Sequence, residues 1–141
     1  MTTKDYSKLK QYTCWAVALT IFLAIILLCV LAHAAEEIKY GKASWYSVES
    51  CKQEGTSGIM ANGRRLQDDR LTCAIWGYRF GTLIRVTNLA NNKIAEVIVT
   101  DRGPSKKLVK KGRVIDLSKG AFSQIADLKS GIISVKIEVI K

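Results

Sequence analysis

This chain of 141 residues contains the stretch Val97-Ile98-Val99-Thr100-Asp101-Arg102-Gly103-Pro104. Its β-branched run is typical of a buried strand, and it ends abruptly at a carboxylate, an arginine and the turn pair Gly-Pro. Such a strand holds an acid rigidly at the rim of a sheet, while the following loop stays open to a ligand. We therefore expect Asp101 either to be a catalytic acid or to order the turn that follows it.

The sequence on either side of this stretch predicts a mainly β domain with one short helix. Apolar alternation and turn residues predict further strands at residues 42–47, 83–88, 114–117 and 133–139. The strand at 83–88 is expected to form a hairpin with residues 94–100, because an asparagine-containing turn lies between them. A helix is expected to run from an N-cap at Ser118 to about residue 128. Loops are predicted at residues 48–70 and 106–113.

Residues 1–35 differ in composition from the rest of the chain. Lysines precede an apolar run at residues 14–32, and Ala32-His33-Ala34 follows the pattern of a signal-peptide cleavage site. The run is also nearly as long as the roughly 20 residues that span a bilayer, so an uncleaved membrane anchor is the alternative. Both interpretations predict an N-terminal apolar helix, and both predict that residues 36–141 are exported from the cytoplasm as one domain.

The chain is strongly basic, with a formal net charge of +10. Three lysines and one aspartate lie in residues 1–35, so these residues account for +2 and residues 36–141 carry +8. Such a surplus suggests an anionic partner, and outside the cytoplasm acidic wall polymers have that chemistry. The alternative is that the charge only keeps a small domain soluble. Nucleic acid is not expected as a partner, because the domain is predicted to be exported.

Two cysteines, Cys51 and Cys73, lie in the predicted exported domain. An even pair in an oxidising compartment predicts a disulfide bond between them. The only histidine of the chain, His33, falls in the export segment. Without an imidazole, two cysteines do not make a zinc site, and a Ser-His or Cys-His nucleophile is excluded. We therefore expect neither a metal nor a cofactor.

Six short phrases, occurring in order, resemble the rare lipoprotein A (RlpA-like) family. The resemblance covers roughly residues 41–140 and implies a six-stranded double-psi β-barrel, as in barwin-like proteins and expansins. It also implies a bacterial envelope protein, in the periplasm or on the extracytoplasmic face of the membrane. Active members are lytic transglycosylases that cleave peptidoglycan glycan strands, favouring strands stripped of stem peptides and often working at the division septum. The phrases are Ala43-Ser44-Trp45-Tyr46, residues 57–63, residues 71–74, residues 80–88, residues 99–104 and residues 113–118.

The resemblance implies that Asp101 acts as the acid and base of glycan cleavage. Two positions depart from the family pattern, because Arg64 stands where members usually have glutamate and Ile75 where they usually have histidine. A non-catalytic glycan-binding or expansin-like wall-loosening module is therefore the alternative function. A third class is an inhibitor or interaction protein built on the same scaffold.

Five more residues are candidates for contacting a glycan. The aromatic rings of Tyr46 and Trp76 could stack on sugars, although most aromatic residues of a small domain pack in its core. The others carry polar groups near the predicted site, and each has an ordinary structural alternative in a turn or an ion pair. These are Asn62, Arg102 and Asp116.

Overall fold

The computed structural model describes Thr13, residues 15–28 and residues 38–140. The chain divides into two compact units, Met1–Ala35 and Glu36–Lys141. In the first unit the described residues are helical. Within the described ranges, no helix has both the length and the apolar character needed to cross a membrane. The expected cleavage pattern Ala32-His33-Ala34 lies outside the described residues.

The second unit is a closed barrel of six strands in the order β1-β5-β2-β4-β3-β6. Two pairs, β1 with β5 and β2 with β4, are parallel, and the other four are antiparallel. The predicted mainly β, six-stranded barrel is thereby confirmed. The strands are β1 (Ile38–Tyr46), β2 (Thr72–Ala74), β3 (Leu83–Asn88), β4 (Ile94–Asp101), β5 (Arg113–Ser118) and β6 (Ile132–Val139).

The described part of the barrel unit has more helix than the sequence analysis predicted. Ser118 is the expected N-cap, and its hydroxyl accepts a hydrogen bond from the backbone amide of Ala121. Two further short helices occupy segments that were predicted to be loops, so the prediction of a single helix was wrong. The helices are α1 (Val48–Gln53), α2 (Lys106–Val109), α3 (Lys119–Ile125) and a 3₁₀ turn at Leu128–Ser130.

The core lies inside the barrel and under α3. In β4 the side chains of Val97 and Val99 are fully buried, whereas Ile98 between them is 45% exposed. This alternation follows from the period of two in a strand. From α3, Phe122 and Ile125 pack onto the same core cluster. Burying an aromatic or aliphatic side chain of this size stabilises a fold by about 1.5–3 kcal/mol.

The predicted disulfide between Cys51 and Cys73 is wrong, because both residues are free cysteines. The two side chains occupy different environments. Cys73 in β2 belongs to the buried core cluster, where burial raises the pKa of its thiol. Cys51 in α1 lines a groove that also includes Asp101 and Asp116. The even number of cysteines was therefore an insufficient guide to pairing.

Candidate active site

The candidate site is a groove in which two carboxylates flank one alanine. Ala74 in β2 is aligned with Asp101 of β4 on one side and with Asp116 of β5 on the other. Residues aligned across neighbouring strands project from the same face of a sheet. All three line a groove with a volume of about 310 Å³. The strand order thus brings together two acids that lie on separate strands.

Asp101 is held by backbone amides on one of its two carboxylate oxygens. Its Oδ1 accepts hydrogen bonds from the amide of Ala61 at 2.8 Å and from the amide of Arg102 at 2.7 Å. Among the described residues, no hydrogen bond involves Oδ2 of this carboxylate. Asp101 therefore orders the turn that follows it, as one interpretation predicted. It also lines the groove, as the other required.

Asp116 has an altered pKa for identifiable physical reasons. Burial raises the pKa of its carboxyl above the ordinary value, and the ion pair with Arg113 lowers it without cancelling that effect. The negative charges of Glu54 and Asp101 raise the pKa further. Asp116 therefore keeps its proton to a higher pH than an ordinary aspartate does.

Glu54 is a groove residue that the sequence analysis did not select. It is the C-cap of α1 and lines the groove together with Asp116. The sequence contains signals for both ends of α1, and these could have shown that Glu54 lies at the end of a helix. Ser47 forms a capping box at the start of α1, and Gly55 adopts φ 69° just past its end.

Tyr46 ends β1 and lines the same groove. Burial and the nearby charge of Asp101 raise the pKa of its phenol, so this side chain stays neutral. Its hydroxyl group is buried near that of Thr72, and neither forms a hydrogen bond of normal geometry with a described residue. Tyr46 therefore lines the groove, while its neutral hydroxyl group is buried beneath the groove surface.

Arg102 lines the groove, but its guanidinium group is occupied elsewhere. It stacks over the ring of Phe80, with 3.8 Å from the guanidinium carbon to the ring centroid. It also donates a hydrogen bond to the carbonyl of Ile75 at 3.3 Å. Only the backbone amide of Arg102 contacts Asp101. The adjacent charge is therefore directed away from the candidate acid.

Two of the predicted ligand contacts, Trp76 and Asn62, are not among the residues that line this groove. The indole of Trp76 is 44% exposed and donates a hydrogen bond to the carbonyl of Pro104 at 2.7 Å, at the groove's edge. The side chain of Asn62 accepts a hydrogen bond from the amide of Arg64 and so shapes its own turn. The structure therefore brings Asp101, Asp116, Tyr46 and Arg102 together and leaves these two outside.

No three His, Cys, Asp or Glu residues form a group that could hold a metal ion in the described part of the chain.

At the two positions that depart from the family pattern, Ile75 is buried in the core and Arg64 is exposed. The titratable side chains that do line the groove are Tyr46, Cys51, Glu54, Asp101, Arg102 and Asp116.

Residues 38–137 match the family model described as "Lytic transglycolase". The chain belongs to this family. It is 41% identical over 108 residues to the endolytic peptidoglycan transglycosylase RlpA of Campylobacter jejuni, covering 76% of this chain and 36% of that protein. It is 39% identical over 111 residues to the probable endolytic peptidoglycan transglycosylase RlpA of Synechocystis, covering 78% and 32% respectively. The resemblance to the RlpA-like family is thereby confirmed, and the chain spans about a third of the length of these relatives.

Solved structures similar to this lytic transglycolase domain show the same kind of barrel. The Streptomyces papain inhibitor aligns with a TM-score of 0.57 and 22% identity, over 74% of this chain and 96% of that one. An expansin of Clavibacter michiganensis aligns with a TM-score of 0.53 and 23% identity, over 74% and 51%. A variant of that expansin, in complex with cellohexaose, has a TM-score of 0.52 and 22% identity over the same shares. At these identities the likeness concerns the fold alone.

Proposed function

We propose that the groove binds a glycan strand of peptidoglycan and cleaves it as a lytic transglycosylase, with Asp101 as acid and base. The observation that carries the proposal is the difference in hydrogen bonding between the two oxygens of this carboxylate. Two backbone amides fix its Oδ1, and its Oδ2 has no hydrogen bond to a described residue at the edge of the groove. The names of the relatives from Campylobacter jejuni and Synechocystis support the choice of substrate.

One carboxyl group is chemically sufficient for this reaction. In the first half, Asp101 gives its proton to the glycosidic oxygen as the bond from that oxygen to the sugar C1 breaks. In the second half, the sugar's own C6 hydroxyl group attacks C1, and Asp101 takes the hydroxyl proton. The products are a shortened strand and a 1,6-anhydro end, and no water is consumed. Two separate carboxylates, as in ordinary glycoside hydrolysis, are not required.

The surroundings of Asp101 leave one of its carboxylate oxygens open to a ligand in the groove. The guanidinium group of Arg102 is held on Phe80, so it does not neutralise the carboxylate. We assign Asp116 to binding sugar hydroxyl groups and the ring of Tyr46 to packing against a sugar, because both residues line the groove. Substrate contacts by Trp76 and Asn62 stay predictions from the sequence. Trp76 lies at the edge of the site, and Asn62 lies outside it.

The location that follows from this substrate is the bacterial cell envelope, outside the cytoplasm. Peptidoglycan lies there, and residues 1–35 have the composition of an export signal or membrane anchor. The positive charge of residues 36–141 would favour association with the anionic polymers of the wall.

Digestion of purified sacculi tests the proposal. The protein is expected to release fragments with 1,6-anhydro ends, detected by mass spectrometry, and Asp101→Asn is expected to abolish them. Asp127→Asn is the matched control, since Asp127 is an exposed aspartate that also accepts a backbone hydrogen bond, from Lys129. Product formation that survives Asp101→Asn would remove Asp101 from the mechanism.

A second candidate function is glycan binding without cleavage, as in wall loosening by expansins. The specific observation in its favour is that Ile75 is buried and Arg64 exposed at the two positions where the family usually carries titratable groups. The fold likeness to an expansin solved with cellohexaose is compatible with this function. Sedimentation of the protein with sacculi, without any new anhydro end, would favour binding over cleavage.

A further inference from the structure

The loop of residues 60–64 holds Asp101 from a distant part of the chain. Its Ala61 amide donates a hydrogen bond to Oδ1 of Asp101 at 2.8 Å, across a separation of 40 residues. The second bond to Oδ1 comes from the amide of Arg102, the residue that follows Asp101. The bond from Ala61 therefore fixes the carboxylate from outside its own strand and turn.

The 60–64 loop is a tight turn closed by its own backbone. The amide of Met60 donates to the carbonyl of Arg64, and the amide of Gly63 donates to the carbonyl of Met60, both at 2.8 Å. Gly63 has φ 83°, a conformation that residues with a side chain rarely adopt. The hydroxyl group of Thr100 donates to the sulfur of Met60 at 3.2 Å, so the start of the loop is attached to β4.

Asn62 supports this turn at two points. Its side-chain Oδ1 accepts a hydrogen bond from the amide of Arg64 at 3.0 Å, which is the way asparagine commonly orders a turn. Its own amide donates to the carbonyl of Thr100 at 3.2 Å, and Thr100 directly precedes Asp101 in β4. Asn62 therefore fixes the turn both internally and against the strand that carries the candidate acid.

Arg64 contributes to the loop through its backbone. Its amide bonds to Asn62 and its carbonyl to Met60, whereas none of these bonds involves its exposed side chain. This is one of the two positions at which the chain departs from the RlpA-like pattern, which has glutamate there. The loop can therefore keep its hold on Asp101 although the glutamate is absent.

We propose that Asn62 is a positioning residue for Asp101, because it directs the Ala61 amide that holds Oδ1 and so leaves Oδ2 free for the groove. This inference rests on the proposed function for the reaction that Asp101 performs. It gives Asn62 a role that needs no contact with the glycan, in place of the ligand contact that the sequence predicted. Misplacing a catalytic group by about 1 Å costs roughly 10²-fold in rate, so the effect is expected on kcat.

Kinetics on soluble glycan strands without stem peptides measure this effect. For Asn62→Ala we expect kcat to fall by about tenfold to about a hundredfold, with KM changed by less than about twofold. Asn62→Gln should lose as much, because its longer side chain cannot close the same turn. Asn62→Asp should restore most of the rate, since its carboxylate accepts the same hydrogen bond.

Asn91→Ala is the matched control. Asn91 accepts a hydrogen bond of the same kind, from the amide of Lys93 at 3.0 Å, in a different turn of the barrel. Its removal should leave kcat and KM unchanged. The melting temperature of each variant checks that the fold is intact.

Amide NMR tests the same link without any substrate. The resonance of an amide proton that is bonded to a carboxylate shifts as that carboxylate titrates, and Asp101→Asn identifies the part that comes from Asp101. In the wild type, the amides of Ala61 and Arg102 should both follow this titration. In Asn62→Ala, Arg102 should still follow it and Ala61 should not, and Asn62→Asp should restore the response of Ala61.

An Ala61 amide that still follows Asp101 in Asn62→Ala would overturn the inference, whatever the rate. A raised KM with unchanged kcat would also overturn it, since Asn62 would then bind substrate. Anhydro products formed with equal kcat by the wild type and all three Asn62 variants would reject the positioning role and keep the lytic activity. A wild type without products would reject the lytic activity, and the response of Ala61 would then decide the positioning role alone.

Discussion

Arg113 donates a hydrogen bond to Asp116, yet the pKa of Asp116 remains above its ordinary value. The burial of this carboxyl therefore outweighs the favourable charge of its partner. A buried ion pair of this kind contributes less to stability than its short contact suggests. Its effect is expected to depend on pH.

We expect Asp116→Asn to become relatively more stable as the pH rises. The raised pKa means that the folded protein binds this proton more tightly than the unfolded chain does. The stability that Asp116 contributes is therefore fully present below the unfolded pKa of about 3.9 and is lost as the pH rises through the folded pKa. Asparagine does not ionise, and its unpaired Arg113 adds a cost that is the same at each pH.

Thermal melting between about pH 4 and about pH 7 measures this effect. The melting temperature of Asp116→Asn minus that of the wild type is expected to increase across the interval. Each tenfold change in the acid dissociation constant corresponds to about 1.4 kcal/mol. If the melting temperature of the wild type instead increased relative to that of the variant as the pH rises, the raised pKa of Asp116 would be contradicted.

Asn88 and Asn91 make the same pair of hydrogen bonds in different surroundings. Each donates from Nδ2 to the carbonyl of Ile125, and each accepts at Oδ1 from the amide two residues later. Asn88 is 3% exposed, whereas Asn91 is exposed. Asn88→Ala is expected to cost about 1–3 kcal/mol, because it removes a buried hydrogen bond to the carbonyl of Ile125 and also the acceptor of the Ala90 amide. Asn91→Ala is expected to cost less than about 1 kcal/mol. Urea denaturation measures both values, and equal losses of unfolding free energy in the two variants would refute this role of burial.

Gly120 fixes the start of α3 against the preceding loop. Its amide donates a hydrogen bond to the carbonyl of Asp68, and an added Cβ would lie 2.7 Å from that oxygen. Gly120→Ala is therefore expected to destabilise the fold by about 1–3 kcal/mol, although alanine favours helices. Gln124→Ala, an exposed change in the same helix, should stay within about 0.5 kcal/mol. An unchanged denaturation midpoint for Gly120→Ala would show that the loop moves freely.

The two cysteines of the barrel should differ in reactivity. Cys73 is fully buried and its thiol has a raised pKa, whereas Cys51 is half-buried at the groove. A thiol-alkylating reagent, followed by peptide mapping, is expected to label Cys51 in the native protein and Cys73 only after unfolding. Protection of both until a reductant is added would instead indicate a disulfide between them.

Tyr46→Phe tests whether the buried hydroxyl group of Tyr46 has a structural role. The hydroxyl group of Tyr46 is buried without a hydrogen bond of normal geometry, so removing it should leave the melting temperature unchanged or slightly higher. Because the hydroxyl group is buried beneath the groove surface, the same change should also leave glycan affinity within about 0.5 kcal/mol of the wild type. A large loss of stability would show that the hydroxyl group supports the fold instead.

The sequence predicted those features that depend on neighbouring residues. The strand that ends at Asp101, the alternation in β6 and the N-cap at Ser118 all follow from local patterns. In contrast, β2 has three residues, too few for a detectable period. The pairing of Asp101 with Asp116 across Ala74 also could not be predicted, because it depends on the order of strands that are not consecutive.

The closed strand order also determines when the barrel can be completed. β6 pairs with both β1 and β3, so the sixth strand of the barrel fills the gap between two much earlier ones. During synthesis, the first five strands leave the ribosome while two edges are still unpaired. We therefore expect the barrel to close only after residue 139 is free, and the nascent domain to be a candidate for chaperone binding until then.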